Sequence, residues 1–380
     1  MPATTPQSRI YLDFNASTPI APEAAEAMRP FLTDHYGNPS SLHWAGAPAH
    51  AAVERARTQV AGLLGCSPQE IVWTSGGTEA NNHAIVGTFY AFRKRGSHII
   101  TTQVEHPAVI QPCRFLERLG ATVTYLPVDA GGSVDPNDVA QAVTDQTILI
   151  SVMHANNEVG TIQPLAQIAR IARARGIVMH TDAAQSVGKI ATKVDELGVD
   201  LLSVAGHKVY APKGVGALFI RSGTSVESFL HGAGHEHGRR AGTENVLLNV
   251  GLGAACDVAR SWIGMDQVRQ LRDRFWVRLQ ETFADGVVLN GDPDRRLPNT
   301  LNVCFAGRQG GQILAKLEGV AASTGSACHE GTIELSPVLK AMGVEPRVGM
   351  GAIRFSLGRT TTAAEIDETV DRLKSVVPSA

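Results

Sequence analysis

The sequence has no apolar run long enough to cross a membrane, and neither sign of charge dominates it. No stretch approaches the roughly 20 continuous apolar residues of a membrane-spanning helix. Lys and Arg number 34 against 36 Asp and Glu, a net charge of −2. Because phosphate backbones and anionic surfaces favour clustered positive charge, we expect neither a membrane protein nor one that binds nucleic acid directly.

Paired cysteines and a secretory leader are also missing. The five cysteines, Cys66, Cys113, Cys256, Cys304 and Cys328, are odd in number, scattered, and form no CxxC pair. The opening MPATTPQSRIYLDF has no charged start followed by an apolar run. This pattern favours reduced thiols over a disulfide framework, so we expect a cytoplasmic protein.

Short runs rich in Val and Ile alternate with stretches of helical spacing. Pro164–Arg175, for example, has Ile168, Ile171 and Ala172 on one helical face. Such alternation predicts an α/β fold with a mainly parallel sheet covered on both sides. The predicted strands are Ile71–Trp73, His98–Thr102, Ile148–Met153, Ile177–His180, Leu201–Ser203 and Gly216–Arg221. Polar clusters follow several of them, at the sheet edge where ligands of this architecture bind.

The length of 380 residues allows a large domain and a smaller one. We predict one long connecting helix over Val258–Phe283, then strands at Asn299–Phe305 and Ala352–Leu357. The first strand, Ile10–Asp13, is expected to join the smaller unit. The predicted division is therefore a large domain, 14–256, and a small α+β domain formed by 1–13 and 257–380.

A small-residue turn, Thr74–Glu79, lies between a predicted strand and a predicted helix. Its backbone N–H groups, including those of Gly77 and Thr78, would face a phosphate at the positive end of the helix dipole. Asp182 follows another strand, where a carboxylate suits the protonated ring nitrogen of a cofactor; a helix N-cap is the alternative. Gln185 either reaches the same ring or completes that cap.

Three lysines compete for the role of a Schiff-base amine. Lys208 ends an apolar strand beside Gly206, where burial disfavours the charged form and makes the amine a better nucleophile. Lys189 follows a helix-like segment, and Lys213 lies in an exposed-looking turn. His106, in VEHPAV, either stacks on an aromatic ring or serves as a cap or core histidine.

The remaining candidates are a thiol, two arginines and a histidine-rich loop. Cys328 lies among small residues in STGSACHEG, which leaves its thiol accessible. Arg354 or Arg359, in IRFSLGR, would bind a substrate carboxylate. A zinc site at the loop's histidines (His231, His235 and His237) lacks completing ligands, so we predict no metal.

Together these segments resemble the cysteine desulfurases of the NifS/IscS-like family, which have the class V aminotransferase fold and use pyridoxal 5'-phosphate. The resemblance runs nearly end to end, in order and spacing. It is carried by YLDFNASTP, GNPSSLH, TSGGTEANN, VEHPAV, HANNEVGT, TDAAQSVGK, GHKVYAPKGVGALFIR, GRRAGTEN, STGSAC and IRFSLGR.

The resemblance implies a role for each candidate. Lys208 would bind the cofactor aldehyde, Asp182 its ring nitrogen and Gln185 its phenolic oxygen, while His106 would stack over the ring. The substrate carboxylate would bind Asn157 and Arg354, and Cys328 would accept the sulfur of L-cysteine as a persulfide. The residues implied for the phosphate are Gly77, Thr78, His207 and, from the second subunit of a homodimer, Thr243.

The sequence departs from the family at a few positions and leaves other functions open. Ala205 stands where relatives often have Ser, which removes one phosphate hydrogen bond. His329 and Glu330 replace small hydroxylated residues, and the resulting ACH sequence also occurs in selenocysteine lyases. Transamination, another β-elimination and a catalytically silent sulfur-delivery subunit are further alternatives. The family implies a sulfur-acceptor protein of iron–sulfur assembly, tRNA thiolation or DNA sulfur modification.

Overall fold

The computed structural model describes residues 9–324, 326–329 and 332–377, without the side chains of 326–329 and 332–333. Its strands are β1 (Ile10–Tyr11), β2 (Ile71–Thr74), β3 (His98–Thr102), β4 (Thr122–Leu126), β5 (Thr147–Ser151), β6 (Val178–Asp182), β7 (Leu201–Ala205), β8 (Gly216–Ile220), β9 (Val287–Asn290), β10 (Thr300–Phe305), β11 (Val320–Ala321), β12 (Ser323–Thr324), β13 (Ser326–His329), β14 (Thr332–Leu335) and β15 (Ala352–Ser356). Its α-helices are α1 (Pro22–Met28), α2 (Pro30–Thr33), α3 (Gly46–Leu64), α4 (Gly77–Phe92), α5 (Pro107–Glu117), α6 (Pro136–Ala142), α7 (Leu165–Ala174), α8 (Val194–Leu197), α9 (Val246–Ala259), α10 (Asp266–Phe283), α11 (Gly310–Lys316), α12 (Pro337–Ala341), α13 (Pro346–Gly349) and α14 (Ala363–Val376).

A large, mainly parallel sheet forms the centre of the described chain. Its order is β2-β8-β7-β6-β5-β3-β4, and β8 runs antiparallel to its neighbours β2 and β7. The strands β3, β5, β6 and β7 are buried at every position, as expected where helices cover both faces. The predicted α/β fold is confirmed.

The strand predictions are close, but the predicted connecting helix is wrong. β3 has the predicted bounds, and β5, β6 and β7 differ from prediction by a few residues at their ends. Val258–Phe283 is not one helix: α9 ends at Ala259 and α10 begins at Asp266. Between them Gly264 has φ +93° and Met265 has φ +45°, left-handed conformations that interrupt a right-handed helix.

Two of the clusters of buried apolar side chains in the described residues draw on different parts of the chain. One core runs from Phe14 to Ala259 and packs against the large sheet. The other joins Ile10 and Leu12 to residues between Met265 and Val377. We propose that these cores define two domains much as the sequence predicts, with the change of domain between Ala259 and Met265 rather than after residue 256.

The first strand, β1, pairs with the C-terminal part of the chain. Ile10 pairs in parallel with Val320, and Asp13 forms a bridge with Ser356 on β15. The β15 strand lies between β12 and β10 in a four-stranded sheet of the described residues. Within residues 9–324, 326–329 and 332–377, no helix is both long and apolar enough to span a bilayer.

Candidate active site

A cavity of about 410 Å³ opens at the carboxyl ends of β6 and β7. The residues to which the resemblance gave a role all line it, apart from Thr243 and from Cys328, whose side chain is outside the described residues. The lining comprises Asn15, Ala16, Gly77, Thr78, Asn81, His106, Ala108, Met153, Ala155, Asn157, Asp182, Ala184, Gln185, Ala205, His207, Lys208 and Arg354. The sheet topology brings these residues together from both halves of the sequence.

Lys208 lies in a 3-10 turn, Gly206–Lys208, directly after β7. A Cβ at Gly206 would come within 2.8 Å of the Val215 carbonyl oxygen, so the turn requires glycine. Lys208 Nζ donates to the carbonyl oxygens of Asn15, at 2.5 Å, and Ala16, at 2.8 Å.

The environment of Lys208 favours a reactive amine. Burial lowers its pKa to about 8, and the positive charge of Arg354 acts in the same direction, while Asp13 and Asp182 oppose them. Near neutral pH a useful fraction of the amine is therefore unprotonated, as a Schiff-base nucleophile requires. Lys213 is exposed and Lys189 is buried behind the cavity lining, so the geometry favours Lys208 among the three.

Asp182 is the last residue of β6, and both of its carboxylate oxygens are held. Asn81, on α4, donates to Oδ2 at 2.7 Å, and the backbone N–H of Ala184 donates to Oδ1 at 2.9 Å. The side chain is buried and lines the cavity. The capping alternative is partly right, since the Ala184 bond resembles a cap, but the carboxylate also faces the cavity, where it can pair with a cationic ring nitrogen.

His106 is a helix cap, one of its two predicted roles, and it also lines the cavity. It is the N-cap of α5, and its Nδ1 accepts a hydrogen bond from the Ala108 N–H at 3.1 Å. Burial lowers its pKa, Asp182 raises it and Lys208 lowers it further. Because Nδ1 is an acceptor, the neutral ring carries its proton on Nε2. The capping bond fixes one edge of the ring while the imidazole lines the cavity.

The first turn of α4 forms a cradle suited to a phosphate. Gly76 precedes the helix at φ +150°, a conformation open in practice to glycine alone. The helix begins at Gly77, and a Cβ there would lie 3.1 Å from Ala205 Cβ. His207 Nδ1 is buried without a described partner, and burial, followed by Lys208 and Lys213, lowers its pKa to about 4.

Only one of the two predicted arginines lies at the cavity. Arg354 donates through Nη2 to Asp13 Oδ1 at 2.8 Å and through Nη1 to the Asn157 carbonyl at 3.0 Å. Its buried Nε has no partner among the described residues, which leaves a donor for a carboxylate. Arg359 instead lies over the Trp262 ring, 4.3 Å from its centroid.

Asn15 is a central residue of the site that the sequence reasoning missed. Its carbonyl oxygen accepts from Lys208 and from Gln185. Its side chain donates to the Asn157 carbonyl and to Thr300 Oγ1. Asn15 lies in YLDFNASTP, a segment that carried the resemblance, but its hydrogen-bond partners are 142 to 341 residues away in sequence. Asn81 was missed for the same reason.

Two predicted residues remain outside the described geometry of the cavity. Thr243 is exposed and does not line the cavity of its own chain. Cys328 lies on β13 opposite Ile333 of β14, but its side chain is outside the described residues. Among described residues, no group of three or more His, Cys, Asp or Glu is placed to hold a metal.

The other four cysteines are poor nucleophiles. Cys113, Cys256 and Cys304 are buried and Cys66 is half-buried. Burial raises the pKa of Cys66, Cys113 and Cys256 to about 12 and also raises that of Cys304. At neutral pH these thiols contain almost no thiolate, the reactive form.

Comparison with known proteins places this site in a family. The profile described as Aminotransferase class-V matches residues 10–369. The chain belongs to the class V aminotransferase family. It is 48% identical over 372 residues to "Cysteine desulfurase IscS" of Dictyoglomus turgidum, covering 97% of this chain and 94% of the relative. Human "Cysteine desulfurase" is 46% identical over 368 residues, 96% of this chain and 80% of that protein.

Solved structures agree in fold. A "NifS-like protein" superposes with a TM-score of 0.91 at 36% identity, covering 97% of this chain and 99% of that chain. A structure described as "SspA in complex with cysteine" gives a TM-score of 0.82 at 36% identity, with 92% and 98% covered.

The enzymes of this family that these relatives represent use pyridoxal 5'-phosphate, and the cavity fits that cofactor. Its phosphate matches the glycine cradle at Gly77 and the buried Nδ1 of His207, which has no partner in the part of the chain that the structure describes. Its aldehyde matches the amine of Lys208, and its ring nitrogen matches the carboxylate of Asp182. The cofactor's three polar ends thus each have a suitable partner in one cavity.

Proposed function

We propose that this chain is a pyridoxal-phosphate-dependent cysteine desulfurase that converts L-cysteine to L-alanine. The relatives named cysteine desulfurase are 45 to 48% identical over at least 96% of the chain. A structural neighbour was solved with cysteine. The observation that carries the proposal is the amine of Lys208, with its lowered pKa, in the same cavity as Asp182.

The residues of the cavity divide the work of cofactor binding. Gly77, Thr78 and His207 would hold the phosphate, and Lys208 would bind the aldehyde carbon. Asp182 would keep a proton on the ring nitrogen, because its carboxylate is held in place by two hydrogen bonds. When bound, pyridoxal phosphate supplies a ring that withdraws electrons from the bonds at the amino acid's Cα.

The substrate and the sulfur are handled by other residues. Arg354, whose buried Nε has no partner among the described residues, would bind the cysteine carboxylate together with Asn157. Lys208 Nζ would move the proton at Cα. The Cys328 thiolate would then attack the substrate sulfur: the new S–S bond forms as the substrate C–S bond breaks, and its electron pair stays on Cβ. Protonation of Cβ completes alanine and leaves a persulfide on Cys328.

We also propose a homodimer and a protein acceptor of the sulfur. The homodimer is supported by Thr243, which is exposed and away from its own cavity and would complete the phosphate site of a second subunit. A persulfide on Cys328 would pass to an acceptor protein, in iron–sulfur assembly, tRNA thiolation or DNA sulfur modification. We place these events in the cytoplasm, where thiols stay reduced.

Product analysis tests the reaction. The purified enzyme should form alanine and sulfide in equal amounts from L-cysteine in the presence of a thiol reductant. Selenocysteine at a matched concentration separates a desulfurase from a selenocysteine lyase; the names of the relatives favour cysteine. If the enzyme turns over selenocysteine and not cysteine, selenocysteine is the substrate. Pyruvate and ammonia in place of alanine would indicate another β-elimination.

A further inference from the structure

Lys189 is buried inside the protein, and the charged groups that face it are positive. It is only 4% exposed and lies in the turn after β6. The charged groups that face it from other elements are Lys208, after β7, and Arg354, on β15. Burial, followed by these two positive charges, sets the pKa of Lys189 well below its usual value of 10.5. The environment therefore favours the uncharged amine.

The hydrogen bonds of Lys189 agree with an uncharged amine. Its Nζ donates to Gln185 Oε1 at 2.9 Å and to Asn15 Oδ1 at 3.1 Å. A neutral amine has two N–H donors and an ammonium has three. The two acceptors thus match the donors of the neutral form, whereas a charged form would bury a third donor at a cost in free energy.

Lys189 lies behind Gln185, which itself lines the cavity. Gln185 accepts through Oε1 from Lys189 and donates through Nε2 to the Asn15 carbonyl at 2.9 Å. An amide rotated by half a turn would bring its oxygen against the Asn15 carbonyl oxygen, and the Lys189 N–H that now donates to Oε1 would lose its acceptor. The network therefore selects one orientation, which leaves the second N–H of Nε2 available to a ligand.

We propose that Lys189 is a positioning residue: its buried, uncharged amine fixes the Gln185 amide so that an N–H, not the oxygen, is offered to the cofactor. The inference rests on the proposed function, in which Gln185 binds the phenolic oxygen. Lys189 also holds the side chain of Asn15, whose carbonyl accepts from Lys208. Lys189 thereby links Gln185, which would contact the ring, to the reactive amine of Lys208. It does not itself line the cavity.

The pH titration of the bound cofactor's visible band in the holoenzyme tests this orientation. A donor to the phenolic oxygen favours its ionised form and lowers the midpoint. Lys189→Met keeps an unbranched side chain, one atom shorter, and removes the donor; Gln185→Leu removes the amide. Each should raise the midpoint, by up to about one pH unit for one hydrogen bond. The double variant should shift no further than either single variant, since both act through one contact.

A matched control is Lys193→Met, because Lys193 is half-buried and donates to the Gly62 carbonyl, away from the cavity. It should leave the midpoint unchanged. A purely structural Lys189 would lower thermal stability and leave the midpoint of Lys189→Met at the wild-type value. That result, or additive shifts in the double variant, would overturn the proposal.

A second measurement needs no cofactor and separates failure of this inference from failure of the proposed function. If Lys189 is uncharged in the folded protein, the unfolded chain binds one more proton. The contribution of Lys189 to the free energy of unfolding therefore rises with pH, up to about pH 10.4. In denaturant titrations of the full chain, the folding constant of wild type relative to Lys189→Met should rise by up to tenfold per pH unit between pH 8 and 10. A ratio of the two folding constants that does not change with pH would refute the claim that the Lys189 amine is uncharged in the folded protein. A wild-type protein that binds no cofactor would refute the proposed function alone.

Discussion

The amide of Asn81 donates to Asp182 Oδ2 at 2.7 Å and so joins the helix that would bind the phosphate to the carboxylate that would bind the ring nitrogen. Asn81 lies one turn into α4, and Asp182 ends β6. A second bond, from the Ala184 N–H to Oδ1, fixes the other oxygen at 2.9 Å. The two ends of the expected cofactor site are therefore held at a set separation before any ligand binds.

Asp182→Asn tests the charge at the ring nitrogen. The amide keeps the size of the side chain but removes the negative charge that would hold a proton on the ring. We expect desulfurase activity to fall by about 10²–10³-fold, the range for loss of one preorganised electrostatic partner, while the protein still binds the cofactor. Steady-state alanine formation and the visible spectrum measure the two effects.

The control for that variant is Asp195→Asn. Asp195 is an exposed carboxylate paired with Arg221 at 2.8 Å, outside the cavity lining. It should retain full activity. If the desulfurase activity of Asp182→Asn is within tenfold of the wild-type activity, a role for Asp182 in ring protonation is ruled out.

The lowered pKa of Lys208 predicts a pH dependence for cofactor binding. An amine with pKa of about 8 is protonated below that pH, and only the neutral form attacks an aldehyde. Pyridoxal phosphate should therefore join cofactor-free protein about tenfold more slowly for each unit by which the pH lies below 8, and the rate should reach a plateau above that pH. Stopped-flow absorbance between pH 6 and 10 gives the midpoint.

Arg354→Gln should move that midpoint upward, because the positive charge of Arg354 helps to lower the pKa of Lys208. Arg359→Gln is the matched control, since Arg359 stacks on Trp262 instead, and it should leave the midpoint in place. A midpoint near 10.5 in wild type would show that the Lys208 amine is not perturbed.

Cys328→Ser should abolish sulfide formation and leave the visible band of the cofactor intact. Serine cannot form a persulfide, and the buried or half-buried cysteines, with their raised pKa values, cannot substitute. Cys66→Ser, which removes the half-buried thiol, is the control and should retain wild-type turnover of cysteine. Mass spectrometry after a cysteine pulse should find the additional sulfur on Cys328. A persulfide on another residue would reassign the nucleophile.

Ala205→Ser should strengthen cofactor binding. Ala205 Cβ lies beside Gly77, at the start of α4, so a hydroxyl there would face the phosphate cradle. One neutral hydrogen bond contributes about 0.5–1.5 kcal/mol, or roughly 2- to 10-fold in Kd. Ala205→Cys is similar in size but a weak donor, and it separates hydrogen bonding from packing. Equal affinities of the two variants would exclude the hydrogen bond.

Local sequence patterns predicted the fold well where they were strong. The Val- and Ile-rich runs mark β3, β5, β6 and β7, because strands that are buried on both faces are enriched in apolar side chains. The break between α9 and α10 was missed, because Gly264 and Met265 adopt left-handed conformations that helical periodicity does not reveal. The edge strand β4 was missed since its residues are mostly only partly buried or exposed.

The site was predictable to the extent that its residues follow strands. Asp182 and Lys208 could be proposed because they lie at strand ends, where parallel sheets bind ligands. The residues alone left Arg354 and Arg359 open, and the resemblance favoured Arg354. The structure adds that the two side chains have different neighbours, although one lies within β15 and the other soon after it. Asn15 had no local signal, since its partners are distant in sequence and its role arises only from tertiary contacts.

The most direct test of the central claim is the absorption spectrum of the purified protein before and after addition of L-cysteine, with Lys208→Ala beside it. We predict a visible cofactor band in wild type that changes on mixing, with alanine and sulfide formed in the same tube, and no such band from covalently bound cofactor in Lys208→Ala. A wild-type protein that stays colourless and inert after added pyridoxal phosphate would contradict the account and favour a catalytically silent sulfur-delivery subunit.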